Sequence, residues 1–520
     1  MNNHSSLSQP RPLARFTQSR IAAGLLPVLV LLLSIVSSHA GSATWKLNPI
    51  SGDWNTAANW TPATVPNGPA DTATFATSNQ TNLSFTDPAE VNGIIFNAGA
   101  SVFTIRPQYL EISGAGITNN SGISESFVND VYLSQVGFLV GSRITFLNNA
   151  TAGSLTNFIN NPGAIPNTNP SAVLFQGNST AGSAVLTNNG STVSDGSGGG
   201  IVFFSDSSTA SDATIINNGG TGSALGGTTE FFDLSTADAA TVIANGALSG
   251  PFGGQIFFSG DTTGGTARIE VFDNANLDII DHNPPGVTIG SLEGSGAVFL
   301  GANNLTVGSN GLSVTFSGII QNGIGFNGGS FTKIGSGKLT LSGANTYTGG
   351  TTINAGTLFV TNGRGSGTGS GPVQVNAGKL GGTGRISGSV IVGDGSGPEA
   401  FLTPGTANAL PATLTIQKKL TFRADGTDHF GYKSSNATAD KLVARGVTIG
   451  SGALLFFGPI DTGTLPLGTV FTAISNTAAT PIAGTFANLA DGATITVDSN
   501  TFQANYEGGD GNDLTLTVVP

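Results

Sequence analysis

One internal repeat constrains this chain more than any other feature. Five stretches align: "FLNNATAGSLTNFINN" from Phe146, "FQGNSTAGSAVLTNNG" from Phe175, "FSDSSTASDATIINNG" from Phe204, "FDLSTADAATVIANGA" from Phe232 and "FSGDTTGGTARIEVFD" from Phe258, with Phe-to-Phe spacings of 29, 29, 28 and 26 residues. Each unit runs from Phe through a polar turn and a Thr- or Ser-containing step to a short β-branched segment, then to Asn or Gly. No unit carries a 3.6-residue apolar stripe, which excludes two-helix solenoids. The period suits one coil of a parallel β-helix, with corners at Asn, Asp and Gly, the residues that best tolerate positive φ. A single coil leaves its backbone N–H and C=O groups unpaired. Stacking at about 4.8 Å per rung pairs them and predicts an internal ladder of Phe146, Phe175, Phe204, Phe232 and Phe258.

Composition agrees with strands around a dry interior. Only 9% of residues are charged while 38% are hydrophobic, so the chain can bury apolar surface and is not of the disordered class. Phe (31) far outnumbers Tyr (5) and Trp (3), as expected where an aromatic ring must need no hydrogen-bond partner. There is no Cys, so no disulfide holds the fold. Residues 1–40 read as an export signal: Arg11, Arg15 and Arg20 precede the apolar "IAAGLLPVLVLLLSIV", and "SHA" ends at Ala40, where cleavage is expected. No later stretch is predicted to span a membrane. Without the leader the charge falls from −12 to −15, because three bases and no acids are lost. That sign repels phosphate backbones and anionic lipid, so nucleic acid is not an expected partner.

"FTKIGSGKLTLSGANTYTGGTTINAGTLFV", residues 331–360, contains four short strand-like pieces separated by "GSG", "SGANTYTGG" and "NAG". Leu339 and Leu341, like Leu358 and Val360, sit two apart and share a face, with Thr340 and Thr357 on the other. This stretch resembles the autotransporter-associated β-strand repeat found in passenger domains, with Phe331 where Leu is commoner. The resemblance implies a secreted or surface-displayed right-handed parallel β-helix, and the motif itself carries no catalytic residue. Autotransporters end in a membrane β-barrel, and the sequence given stops at "NDLTLTVVP" without one; release of the protein, or a sorting tail beyond Pro520, are the two expectations. The predicted organisation is a signal peptide (1–40), an aromatic-rich N-terminal cap with the first coils (41–110), a β-helix of 26–29-residue repeats (111–285), a β-helix containing the passenger-type repeat (286–399), and C-terminal coils or a β-sandwich cap (400–520).

Reactive chemistry is sparse. No nucleophile elbow, phosphate loop or His-Glu-x-x-His is present. His282 and His429 each lie beside an Asp, an arrangement more common in solvated turns than in metal sites. Asp206 with Asp233, and Asp212 with Asp238, are predicted to stack in columns, a pattern weighed against the paired carboxylates of glycoside hydrolysis. "GGDGND" offers Asp510 and Asp513 as candidate calcium ligands, although one copy of such a motif is half a site. Trp45, Trp54 and Trp60 are read either as a cap over the open end of the coil or as a stacking platform for sugar rings. The expected function is a non-enzymatic, exported β-solenoid scaffold, adhesive or structural, with weak multivalent contacts to extracellular glycan or a neighbouring cell surface. It needs no catalytic residue or cofactor. A polysaccharide lyase or glycoside hydrolase on the same scaffold is the alternative, and self-association into a sheath is a third expectation.

Overall fold

The computed structural model describes residues 41–520 apart from 134–138, 164, 166–167, 194–197, 398 and 406–410; the expected signal peptide lies outside the described residues. Strands are short because the chain must turn every few residues, and their burial alternates with period two. Ile201–Phe204 and Thr214–Asn217 both run half-buried, buried, half-buried, buried. Equivalent strands of successive coils pair in parallel and in register, as in Phe146↔Phe175, Phe175↔Phe204, Phe204↔Phe231 and Phe231↔Phe258. Among the described residues the helical segments are two 3-10 turns, Ala57–Asn59 and Ser434–Asn436. The fold is an all-β parallel solenoid.

Four sheets form its sides. The first has thirteen strands and runs from the N-terminal strands to Ile319–Gln321. The second ascends in parallel from Asn82–Ser84 to Leu454–Pro459, through fifteen strand-to-strand steps. At one rung spacing per step this gives a rise of about 70 Å. A third sheet of eight strands begins at Gly286–Ile289, and a fourth of seven begins at Arg385–Ile386. Before residue 286 the third side is a column of single bridges, Thr151↔Thr180↔Thr209↔Thr236↔Thr263. Each of the first four hydroxyls accepts the N–H two residues on, at 3.0 Å, and so holds its corner.

The interior is a stack of rings. Successive centroids of Phe146, Phe175, Phe204, Phe231 and Phe258 lie 4.9, 4.7, 4.9 and 4.7 Å apart, with planes within 10°. The fourth member is Phe231, not Phe232. "EFFD" places two rings side by side, and the two-residue pleat sends Phe231 inward while Phe232 stays 45% exposed. The spacing there is consequently 27 residues on either side.

Beside the rings run two amide ladders. The buried one links Asn129 to Asn160, Asn160 to Asn188 and Asn188 to Asn217, each Nδ2 donating to the next Oδ1 at 2.7, 2.8 and 2.7 Å. The second, half-buried, runs in the opposite sense: Asn245, Asn218, Asn189 and Asn161 each donate to the residue one coil earlier, ending on Asp130. The buried ladder stops where Ala244 takes the next position, and Asn217 Nδ2 has no partner among the described residues.

Both ends are closed. Ala43–Trp45 pairs antiparallel with Trp60–Thr61, and Trp45, Trp54 and Trp60 pack edge to face over Phe75. At the other end the coil gives way to the antiparallel strands Val470–Asn476, Asp513–Val519, Asn500–Gly508 and Thr494–Val497. Tyr432, Phe457, Phe471 and Phe502 fill the space beneath them. An open last rung would template aggregation, and these caps remove it.

Candidate functional site

The acids singled out from the sequence act mainly on the backbone. One corner column comprises Asn148, Gly177, Asp206, Asp233 and Gly260, with φ between 54° and 72° throughout. Asp206 and Asp233 therefore do stack, but as corner caps: Asp206 Oδ2 accepts the Gly177 N–H at 2.9 Å, and Asp233 Oδ2 the Asp206 N–H at 3.3 Å. Asp212 and Asp238 do not form a second column. Asp238 takes the positive-φ position two residues after its corner Thr, which Ser211 occupies one coil earlier, so Asp212 is one residue out of register. His282 is buried with Nδ1 2.6 Å from Asn283 O and Nε2 2.8 Å from Thr262 O, so both nitrogens are used by the chain. His429 stacks on Phe456 at 4.9 Å, and burial together with nearby Lys379 pushes its pKa down.

The three Trp side chains present no platform to sugar. All are at most 1% exposed, and each indole N–H donates to a backbone carbonyl: Trp45 to Gln80, Trp54 to Pro66 and Trp60 to Trp54. At "GGDGND", Asp513 is buried and accepts the Asn476 N–H at 2.8 Å, while Asp510 is exposed at the hairpin tip. Among the described residues no three His, Asp or Glu side chains converge as a metal site.

The passenger-type repeat has a buried charge. Lys333 is 1% exposed, and its ammonium donates to Ile334 O at 2.5 Å and Gly335 O at 3.1 Å, closing the corner "IGSG". Burial lowers its pKa to about 8. Because the folded value lies below the ordinary one of 10.5, the contribution of this group is full above about 10.5 and lost as pH falls towards 8. Lys333→Met is therefore expected to flatten the urea-midpoint profile between pH 8 and 10.5, while wild type loses stability relative to the variant as pH falls from 10.5 to 8. Parallel profiles would count against this assignment.

What the fold offers to solution is columns. On the third sheet Thr288, Thr306, Thr332 and Thr352 occupy one register position on four successive strands. On the second, Arg268 bridges the acids of two rungs, 2.7 Å from Glu293 and 2.9 Å from Glu270, beside an open depression of about 490 Å³ also lined by Phe272, Thr315 and Lys338. With both carboxylates held by the guanidinium, this pair lacks the opposed free acid and base of a hydrolase. On the first sheet, the position preceding each inward side chain (Phe204, Phe231, Phe258, Ile279 and Leu300) reads Phe203, Glu230, Phe257, Asp278 and Phe299 down five rungs. Burial raises the pKa of Glu230, and burial above all raises that of Asp278 to about 6. Reading the repeat one residue earlier than the aligned Phe would have exposed this column, but only once Phe231 had been given the inward position.

Stacked parallel coils with capped ends and outward columns define a β-helical fold. Residues 331–360 match the family described as the passenger-associated-transport-repeat. Over 177 residues, 34% of this chain, the sequence is 28% identical to the adhesin BmaC autotransporter of Brucella suis biovar 1 (strain 1330), of which it covers 5%. The Haemophilus influenzae Hap adhesin aligns over 86% of this chain and 63% of its own, at 12% identity and a TM-score of 0.25. The chain thus carries a repeat of the autotransporter-passenger type at residues 331–360, and it spans a small part of the length of the curated relative it matches. No described helix is long and apolar enough to cross a membrane.

Proposed function

We propose that this chain is exported and serves outside the cell as a non-enzymatic adhesive scaffold that makes weak, multivalent contacts with glycan. The outward columns carry this reading. Four Thr side chains at rung spacing line one face along the axis, the hydroxyls of Thr306 and Thr332 sharing Asn304 and those of Thr288 and Thr352 facing outward, and repetition turns weak single contacts into useful avidity. Similarity to an autotransporter adhesin supports an adhesive role, and the sequence of residues 1–40 supports export. The reactive groups support a non-enzymatic role, since the stacked acids cap corners and the Glu270–Glu293 pair is engaged by Arg268. Residues 41–520 immobilised at high density are expected to bind a subset of a glycan array, and to lose most of the signal when presented at low density. Absence of binding to any glycan and to cell surfaces at high density would reject adhesion.

A further inference from the structure

We infer that the outer face of the first sheet, along the column from Phe203 to Phe299, is a docking surface for an amino-sugar chain bearing free ammonium groups. This deepens the adhesive reading and rests on it. The column alternates ring and acid without interruption, Phe203, Glu230, Phe257, Asp278, Phe299, fixed by continuous parallel register. Five rungs span about 19 Å, a length suited to a short run of sugar rings. Phe232 extends the apolar surface, its ring 6.0 Å from that of Phe203.

Neither carboxylate forms an ion pair among the described residues. Glu230 has no hydrogen-bond or ion-pair partner among the described residues, and Asp278 accepts only the Ile280 N–H, at 2.8 Å. Between Arg143 and Lys333 the sequence has one Lys or Arg, Arg268, besides the buried His282, whose two ring nitrogens face the Asn283 and Thr262 carbonyls. Arg268 lies on the second sheet and is committed to Glu270 and Glu293. Two half-buried acids between aromatic rings, on a chain whose nearest bases are distant or occupied, complement a ligand that brings its own cations. Phe rings attract both a cation and the C–H face of a pyranose, and the carboxylates accept from ammonium and hydroxyl groups. An amino sugar supplies all of these on one ring.

The test uses residues 41–520 and glucosamine oligomers, with N-acetylglucosamine oligomers and lysine oligomers as controls, followed by calorimetry. Glucosamine oligomers are expected to bind at least tenfold more tightly than the acetylated ones. Glu230→Gln with Asp278→Asn is expected to remove that preference, and Phe257→Leu to weaken binding several-fold. All three substitutions lie on the outer face, and the Asp278→Asn side chain keeps a carbonyl oxygen to accept the Ile280 N–H, so thermal unfolding should not change. Equal binding of lysine oligomers would overturn the amino-sugar assignment in favour of a basic peptide. Concentration-dependent dimerisation abolished by Phe257→Leu, without sugar binding, would overturn it in favour of a second copy of the chain. Binding of other glycans that survives all three substitutions would overturn this inference while leaving adhesion intact.

Discussion

Asn188→Asp is expected to lower the stability of the central coils by about 3–5 kcal/mol at neutral pH, although the change is nearly isosteric. Asn188 is fully buried and works in both directions: its Oδ1 accepts from Asn160, and its Nδ2 donates to Asn217 Oδ1 at 2.7 Å and to Thr228 O at 2.9 Å. A carboxylate preserves the first bond and reverses the second, placing an acceptor against two acceptors where water does not reach. The damage should be local, because each coil contacts its neighbours alone and opening is decided rung by rung. Hydrogen exchange would show it as lost protection in Ala172–Phe175, Ser183–Asn188 and Thr214–Asn217, with the C-terminal cap unaffected. Unchanged protection in these strands would mean that the amide ladder contributes specificity of register and little stability. Asn245→Asp, in the half-buried outer ladder, should cost much less, since solvent can screen the charge.

Asp428→Asn should act in the opposite direction, stabilising the C-terminal coils at pH 7. Asp428 is 2% exposed, and its Oδ1 has no partner among the described residues. Burial, and then the neighbouring Asp440, raise its pKa well above the ordinary 3.8. Asp440 itself is raised to about 6, mainly by burial, and accepts the N–H groups of Ala412 and Gly431, each at 2.9 Å. For a raised acid the folded state holds the proton more tightly. The stability it contributes is complete below about pH 3.8 and is lost as pH rises through the folded values. Wild type should accordingly weaken between pH 4 and 7 more than the Asn variant, and the two should converge near pH 4. Denaturant midpoints across that range, followed by the near-ultraviolet signal of the Tyr432 and Phe502 cluster, provide the measurement. A variant less stable than wild type at pH 7 would show that the ionised carboxylate is satisfied in the fold.

The coil, its approximate period and the passenger-type repeat were legible because each rests on local chemistry that recurs along the chain. Asn, Asp and Gly mark corners because few other residues accept φ near 55°, and Asn148, Asp206 and Asp233 do adopt it. Leu339, Leu341, Leu358 and Val360 turn inward together, as their two-residue spacing implied. Register was the weaker part. "EFFD" offers two equivalent rings to an eye counting residues, and only pairing with Phe204 and Phe258 selects Phe231. The same one-residue ambiguity misplaced Asp212. The Trp side chains show a different limit: an indole stacks on sugar or fills a cap with the same chemistry, and burial alone distinguishes the two.

By itself, the sequence determined that this chain would wind into stacked β coils, because corner residues and short apolar alternations are properties of neighbours along the backbone. Which side chains meet across coils was decided only in three dimensions. The two opposed amide ladders and the alternation of Phe203, Glu230, Phe257, Asp278 and Phe299 each join residues about 20 to 30 positions apart. Contacts at that separation depend on the length of every intervening turn, and a turn one residue longer moves a side chain from the interior to the surface.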